Sequence, residues 1–146
     1  MTVSNRIRQA RETSVGWHIQ RLTGVLDNAV TKALRAHDLT LPEFPILMTA
    51  IEHQGLTQAD LATRFRRPAY AISRAIDALV EKGLLERRAD PASRRSHNIH
   101  ATKAAHALAP KLLGIIDTVN GDLLAPLDEA EADELLRLLA KTLNAT

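Results

Sequence analysis

Leu84-Leu85-Glu86-Arg87-Arg88-Ala89-Asp90-Pro91-Ala92-Ser93-Arg94-Arg95-Ser96-His97-Asn98-Ile99-His100-Ala101-Thr102 decides the fold of this chain. It reads as two short strands, about Leu85–Arg88 and His97–Ala101, around a turn-rich tip that carries paired arginines. Two helix-like segments stand directly before it, Thr57–Phe65 and Pro68–Lys82, joined by a tight turn at Arg66-Arg67. A helix-turn-helix followed by a basic hairpin suits duplex DNA. The second helix fits the major groove, and the hairpin arginines reach the neighbouring minor groove or backbone.

Working outward, Thr57 caps a helix over Gln58–Phe65 with Leu61, Ala62 and Phe65 inward. Pro68 suits the first turn of the next helix, whose buried stripe is Ile72, Ala75, Ile76, Leu79 and Val80 and whose stop is Gly83. Upstream, Val15, Ile19, Leu22, Leu26, Val30 and Leu34 recur at helical spacing and predict one long amphipathic helix from about Glu12 to His37, weakened locally by Gly16 and Gly24. Thr40 with Glu43 fits a capping box that opens a helix over Leu41–Glu52, in which Pro45 is awkward because it lacks an amide hydrogen. Downstream, Thr102 caps a helix from Lys103 to about Asn120, with a kink or restart expected at Pro110. Asp128 with Glu131 opens a last helix to about Leu143. The fold class is mostly α with a small β-hairpin wing.

Length, composition and charge bound the function. The 146 residues fit one domain with a real core, built from Leu, Ala, Ile and Val because only four residues are aromatic. The absence of cysteine excludes disulfides, thiolate-bound zinc and thiol redox sensing. No apolar run approaches bilayer-spanning length and the basic N-terminus lacks a secretion signal's apolar stretch, so a soluble cytoplasmic protein is expected. The net charge of +2 hides an asymmetry: zero across residues 1–60, +6 across 61–103 and −4 across 104–146. The positive charge thus coincides with the groove-fitting motif.

No Gly-rich phosphate loop, His-Glu-x-x-His sequence or nucleophile with a nearby base is present, so neither catalysis nor a cofactor is expected. His97, His100 and His106 are close in sequence. Strand alternation puts the first two on opposite faces, which argues against a shared metal ion. The outer helices carry more apolar residues than a small winged helix needs, and such excess is usually buried by a partner. Two-fold pairing would also set two reading helices about one duplex turn, roughly 34 Å, apart. The expected organisation is a single domain over 1–146, with a DNA-binding part at about 40–101 and dimerisation helices at about 12–38 and 102–146.

On these residues the chain resembles the MarR family of winged-helix transcription regulators, over about residues 12–143. Leu56-Thr57-Gln58-Ala59-Asp60-Leu61-Ala62 matches the family's Leu-Thr-Gln-x-x-Leu-Ala opening. Leu79-Val80-Glu81-Lys82-Gly83-Leu84 matches the end of its reading helix, and Asp90-Pro91-Ala92-Ser93-Arg94-Arg95 its Asp-x-x-Asp-Arg-Arg wing. There are departures. Ser93 replaces the second wing aspartate, which loses an Asp–Arg brace or reduces it to a hydroxyl contact. Arg66-Arg67-Pro68 replaces the frequent Gly-hydrophobic-Ser turn, Ala101 a leucine and Ala105 a glycine. The resemblance implies a homodimeric regulator, usually a repressor, that binds an inverted-repeat operator in double-stranded DNA. It also implies release by a small aromatic or anionic effector held between the dimer helices and the winged domain.

Candidate DNA contacts follow. Arg94 and Arg95 are the wing cations; a guanidinium suits a narrow minor groove and stays charged at every relevant pH. The resemblance points to Arg94 as the inserted one. Arg74 on the exposed side of the second helix can take a guanine edge with two hydrogen bonds, worth about 1–3 kcal/mol of discrimination. Tyr70 and Ser73 suit phosphate or mixed contacts, with packing against the preceding helix the alternative for Tyr70. Ala69 is small enough for close approach, and Arg66 and Arg67 are nonspecific phosphate clamps. Arg64, Arg87 and Arg88 are weaker candidates. For an effector, Trp17 and His18 stand in a suitable region, with Arg21 and His53 as partners for an anion; a dimer or core anchor is the plainer role for Trp17. Two other readings stay open at this level: a winged-helix protein–protein module, and a small-molecule binding protein without DNA affinity.

Overall fold

An unforeseen helix, α1, spans Val3–Thr13, and the helix expected from about Glu12 to His37 follows it as α2, Val15–Leu34, in a computed structural model that describes residues 1–146. The break falls at Ser14, whose backbone is extended (φ −81°, ψ 114°) and whose Oγ accepts the Trp17 amide hydrogen at 3.1 Å. A serine that offers its hydroxyl three residues ahead starts a helix instead of continuing one. Gly16 and Gly24 lie inside α2 without interrupting it. A 3-10 turn, Arg35–His37, follows α2 and closes on Asp38 at φ 53°.

Helix α3 spans Glu43–Glu52, two residues later than expected. The Thr40 amide donates to Glu43 Oε2 at 3.1 Å, which is one half of the expected capping box. Pro45 is the third residue of α3, where amides have no intrahelical acceptor, so its missing hydrogen costs nothing there. Gly55, at φ 84°, turns the chain into a strand that sequence reading did not foresee, β1 at Leu56–Thr57. Two residues are too short for alternation to register. Helix α4 is Gln58–Phe65, opened by a full capping box between Thr57 and Asp60. Hydrogen bonds from Thr57, its amide first and its hydroxyl next, hold the Asp60 carboxyl below the usual carboxylate range. Helix α5 is Ala69–Glu81, with Pro68 as its cap instead of its first residue, and Gly83 at φ 74° ends it.

Strands β2 (Leu85–Asp90) and β3 (Ser93–Ala101) run further toward the tip than expected. They form an antiparallel sheet in the order β1-β3-β2, with Leu56 opposite Ile99 and Leu85 opposite Ala101. Helix α6, Lys103–Leu124, passes through Pro110 as one helix and outlasts its expected end at Asn120, so no restart occurs there. Thr102 caps it as foreseen: its Oγ1 accepts from the Ala105 amide at 3.3 Å and donates to the Gly83 carbonyl at 2.7 Å. Helix α7, Glu129–Asn144, opens with the Asp128–Glu131 box. No helix is long and apolar enough to cross a membrane.

The chain divides into two units. One is Met1–Leu26 with Ile116–Thr146; the other is Asp27–Ile115. Every buried hydrophobic side chain belongs to the second unit, from Leu34 through Leu61, Ile72, Ile76, Leu79 and Ile99 to Ile115. Burial of this core under α3, α4, α5 and the sheet fixes the second unit at about 1.5–3 kcal/mol per fully buried side chain. Within it Lys82 Nζ, at the end of α5, donates to the Asp38 carbonyl at 2.6 Å and to Glu43 Oε2 at 2.8 Å. Glu43 is only 5% exposed, so Lys82 neutralises a carboxylate that burial alone would disfavour.

Candidate nucleic-acid interface

A short turn sets α5 against α4. Arg66 caps α4 in the left-handed region at φ 50°, and the Arg67 amide bonds back to the Ala62 carbonyl at 3.1 Å. A side chain at that φ is strained, which is why glycine is favoured at such a position. Arg66→Gly is therefore expected to stabilise the fold by about 0.5–1 kcal/mol while removing a cation from the turn. Urea unfolding and DNA titration on the same variant would check both halves: the midpoint should rise as the affinity falls.

The first turns of α5 leave Ala69 and Arg74 exposed and Ser73 half-buried. Tyr70 is 70% exposed, so it does not pack against α4. Its ring stands clear because Tyr70 falls on the side of α5 away from the buried stripe Ile72, Ala75, Ile76 and Leu79.

The wing displays its arginines through an irregularity. Ala89 pairs with His97, but the next pair is Asp90 with Ser93, so Arg94, Arg95 and Ser96 have no partner on β2. A bulge of this kind bends the strand and turns side chains out of the ladder; Arg94 and Arg95 are both exposed. The tip is held by side-chain to backbone bonds. Asp90 Oδ1 accepts from the Ala92 amide at 2.9 Å, and Ser93 Oγ accepts from the Arg95 amide at 3.3 Å. Ser93 thus directs its hydroxyl at the backbone of Arg95, not at an arginine side chain as an Asp–Arg brace would be.

The weaker cations have local acceptors. Arg88 lies along Glu86 of its own strand, with Nε 2.8 Å from Oε1. Arg64 Nη2 stands 3.4 Å from the His53 ring. Arg87 reaches Gln58 and Asp77, a connection that sequence reading missed because the three residues are far apart in the chain.

In the first unit Trp17, His18 and Arg21 line an open depression of about 510 Å³ together with Arg11 and Glu12. The Arg11 guanidinium sits 5.9 Å from the Trp17 ring centroid, a cation–π distance. Trp17 is 49% exposed, so it is not a core anchor of its own subunit. Arg11 was missed because it stands before the expected start, at Glu12, of the helix that carries Trp17; it lies on the unforeseen α1, across the break at Ser14 from Trp17. His53 is not among these residues; it belongs to the second unit, beside Glu52 and Arg64.

Comparison with known proteins agrees with this arrangement. The MarR family pattern matches residues 37–96, the stretch from the 3-10 turn to the wing bulge. The HTH-type transcriptional repressor Rv2887 of Mycobacterium tuberculosis is 30% identical over 132 residues, which cover 90% of this chain and 95% of the relative. Among solved structures, the Staphylococcus aureus MepR–DNA complex superposes with a TM-score of 0.81 at 24% identity, covering 91% of this chain and 98% of the other. CouR of Rhodococcus jostii bound to p-coumaroyl-CoA gives 0.82 at 27%, covering 94% of both. At 30% identity over 132 residues, with at least nine-tenths of both chains covered, the chain belongs to the MarR family of winged helix-turn-helix transcription regulators.

Proposed function

We propose that this regulator acts as a homodimer in the cytoplasm, binds an inverted-repeat operator in duplex DNA, and represses transcription until a small ligand releases it. The observation that carries this reading is the bulged wing, which turns Arg94 and Arg95 out of the sheet. Helix α5 lies across the major groove, with Arg74 on base edges, Tyr70 and Ser73 on phosphate or mixed contacts, and Ala69 close to the bases. Arg66 and Arg67 clamp phosphates. The MepR–DNA complex, which shares this fold, supports the docking mode, and the repressor relative supports the sign of regulation.

Pairing of two subunits rests on the first unit. It holds no buried hydrophobic residue, yet Val15, Ile19, Leu22, Leu136, Leu138, Leu139 and Leu143 are exposed. Such a surface needs a cover, and a second copy of the chain supplies one while doubling the reading heads. The depression at Trp17, His18 and Arg21 suits a flat anion: indole for stacking, guanidinium for charge. CouR, solved with an aromatic acyl-CoA, supports that ligand class. His53 has no part in this pocket. A ligand releases DNA only if it binds the incompetent arrangement of the dimer more tightly.

Selection of duplexes from a random pool by the purified protein, followed by a salt titration, tests the reading. An enriched inverted repeat whose affinity falls steeply with salt is expected; indifference to DNA would instead favour a protein–protein module.

A further inference from the structure

A single guanidinium joins the wing to both helices of the helix-turn-helix. Arg87, in the middle of β2, donates from Nε to Gln58 Oε1 at 2.9 Å, and its Nη2 pairs with Asp77 Oδ1. Gln58 is the first residue of α4, and Asp77 lies in the second half of α5. Arg88, the next residue, points to the other face of the strand and meets only Glu86 of the same strand. Alternation therefore separates two adjacent arginines into one that braces and one that does not.

We propose that Arg87 is a positioning residue for DNA recognition: it sets the angle of the wing against α5 and neutralises Asp77, and it takes no phosphate itself. Three features carry this. The fork geometry of arginine lets one side chain serve two acceptors on different elements at once, which an ammonium on a flexible stem does poorly. Arg87 is the more buried partner, with its side chain 27% exposed against 62% for Asp77, so its donors are turned inward. Asp77 stands three and four residues after Arg74 and Ser73, on the same side of α5 as those candidate contacts. An unpaired carboxylate there would repel the phosphates that Arg74 must approach. An ion pair this exposed adds little to stability, so its main consequence is geometric and electrostatic.

The inference rests on the DNA-binding reading, and its test separates the two. The probe is the duplex that the wild-type protein enriches from a random pool; absence of any enrichment removes the reading itself. Against that duplex, Arg87→Gln is expected to lose about 10-fold or more in affinity, with an unchanged slope of log affinity against log salt and a nearly unchanged melting temperature. Arg87→Lys should recover only a minor part of the loss, because charge without the fork cannot hold both acceptors. Asp77→Asn added to Arg87→Gln should recover part of the loss, since it removes the carboxylate that Arg87 neutralises, while the lost wing angle keeps the rest. Three outcomes each overturn the proposal: wild-type affinity in Arg87→Gln, full rescue by lysine, or a salt slope lowered by about one per arginine removed, the mark of a lost phosphate contact.

Discussion

Replacing Arg94 and Arg95 together by alanine should lower affinity for the selected duplex by about 100-fold or more at fixed salt. Each arginine contributes charge to a backbone dense in phosphate, and a guanidinium seated in a narrow minor groove adds contacts that water does not replace. In a dimer the double substitution removes four cations. The slope of log affinity against log salt should therefore shrink by about 0.9 for each arginine that neutralises a phosphate. Stability should barely change, because both side chains are exposed and the tip is held by Asp90 and Ser93 acting on backbone amides. Lysine at both positions should restore much of the slope but less of the affinity, since an ammonium lacks the flat fork. Fluorescence anisotropy across a salt series measures both quantities. Undiminished affinity in the alanine variant would remove the wing from the interface.

The second large effect concerns assembly. Leu22→Glu with Leu138→Glu places two carboxylates in the apolar groove of the first unit. The groove, of about 670 Å³, is lined by Val15, Ile19, Leu26, Leu127, Leu135 and Leu139 besides the two substituted leucines. Burying an unpaired carboxylate against a partner's apolar surface costs several kcal/mol, more than a patch of this size is expected to return. Sedimentation should report a species of 16.0 kDa in place of one twice that mass. Affinity for an inverted repeat should fall by about 10²–10⁴-fold, the factor lost when the second reading head is no longer tethered to the first. Affinity for an isolated half-site should stay the same. The core from Leu34 to Ile115 contains neither position, so the DNA-reading unit should keep its fold, which circular dichroism would verify. A variant that remains dimeric would move the interface to another face.

How far the chain could be read without coordinates depended on the range of the interactions involved. The cap at Thr57, the capping box at Asp128, the glycine stop at Gly83 and the threonine cap at Thr102 are all local, spanning at most four residues or marking a single backbone conformation. Each was legible because the residue type and its spacing carry the geometry. The apolar stripe of α5 was legible for the same reason, as helical periodicity repeats every turn. The start of the helix expected over Glu12–His37 shows the limit. Periodicity from Val15 onward was correct, but it gave no sign that Ser14 ends one helix and begins another.

Of the candidate site, exposure of Tyr70 and grouping of Trp17 with His18 and Arg21 followed from their helical positions, whereas Arg11 came into the same depression across a break that spacing conceals. Sequence by itself determined the types of the elements other than α1 and β1, the basic centre flanked by a neutral and an acidic segment, and the order helix, turn, helix, wing. These follow from side-chain chemistry repeated over short distances. Tertiary structure alone decided that β1 pairs with β3, that Arg94 and Arg95 leave the ladder in a bulge, and that Arg87 serves Gln58 and Asp77 while Arg88 stays on its own strand. Strand register and cross-element hydrogen bonds depend on which distant segments the buried core brings together, and that closure is a property of the whole unit, beyond any local window of residues.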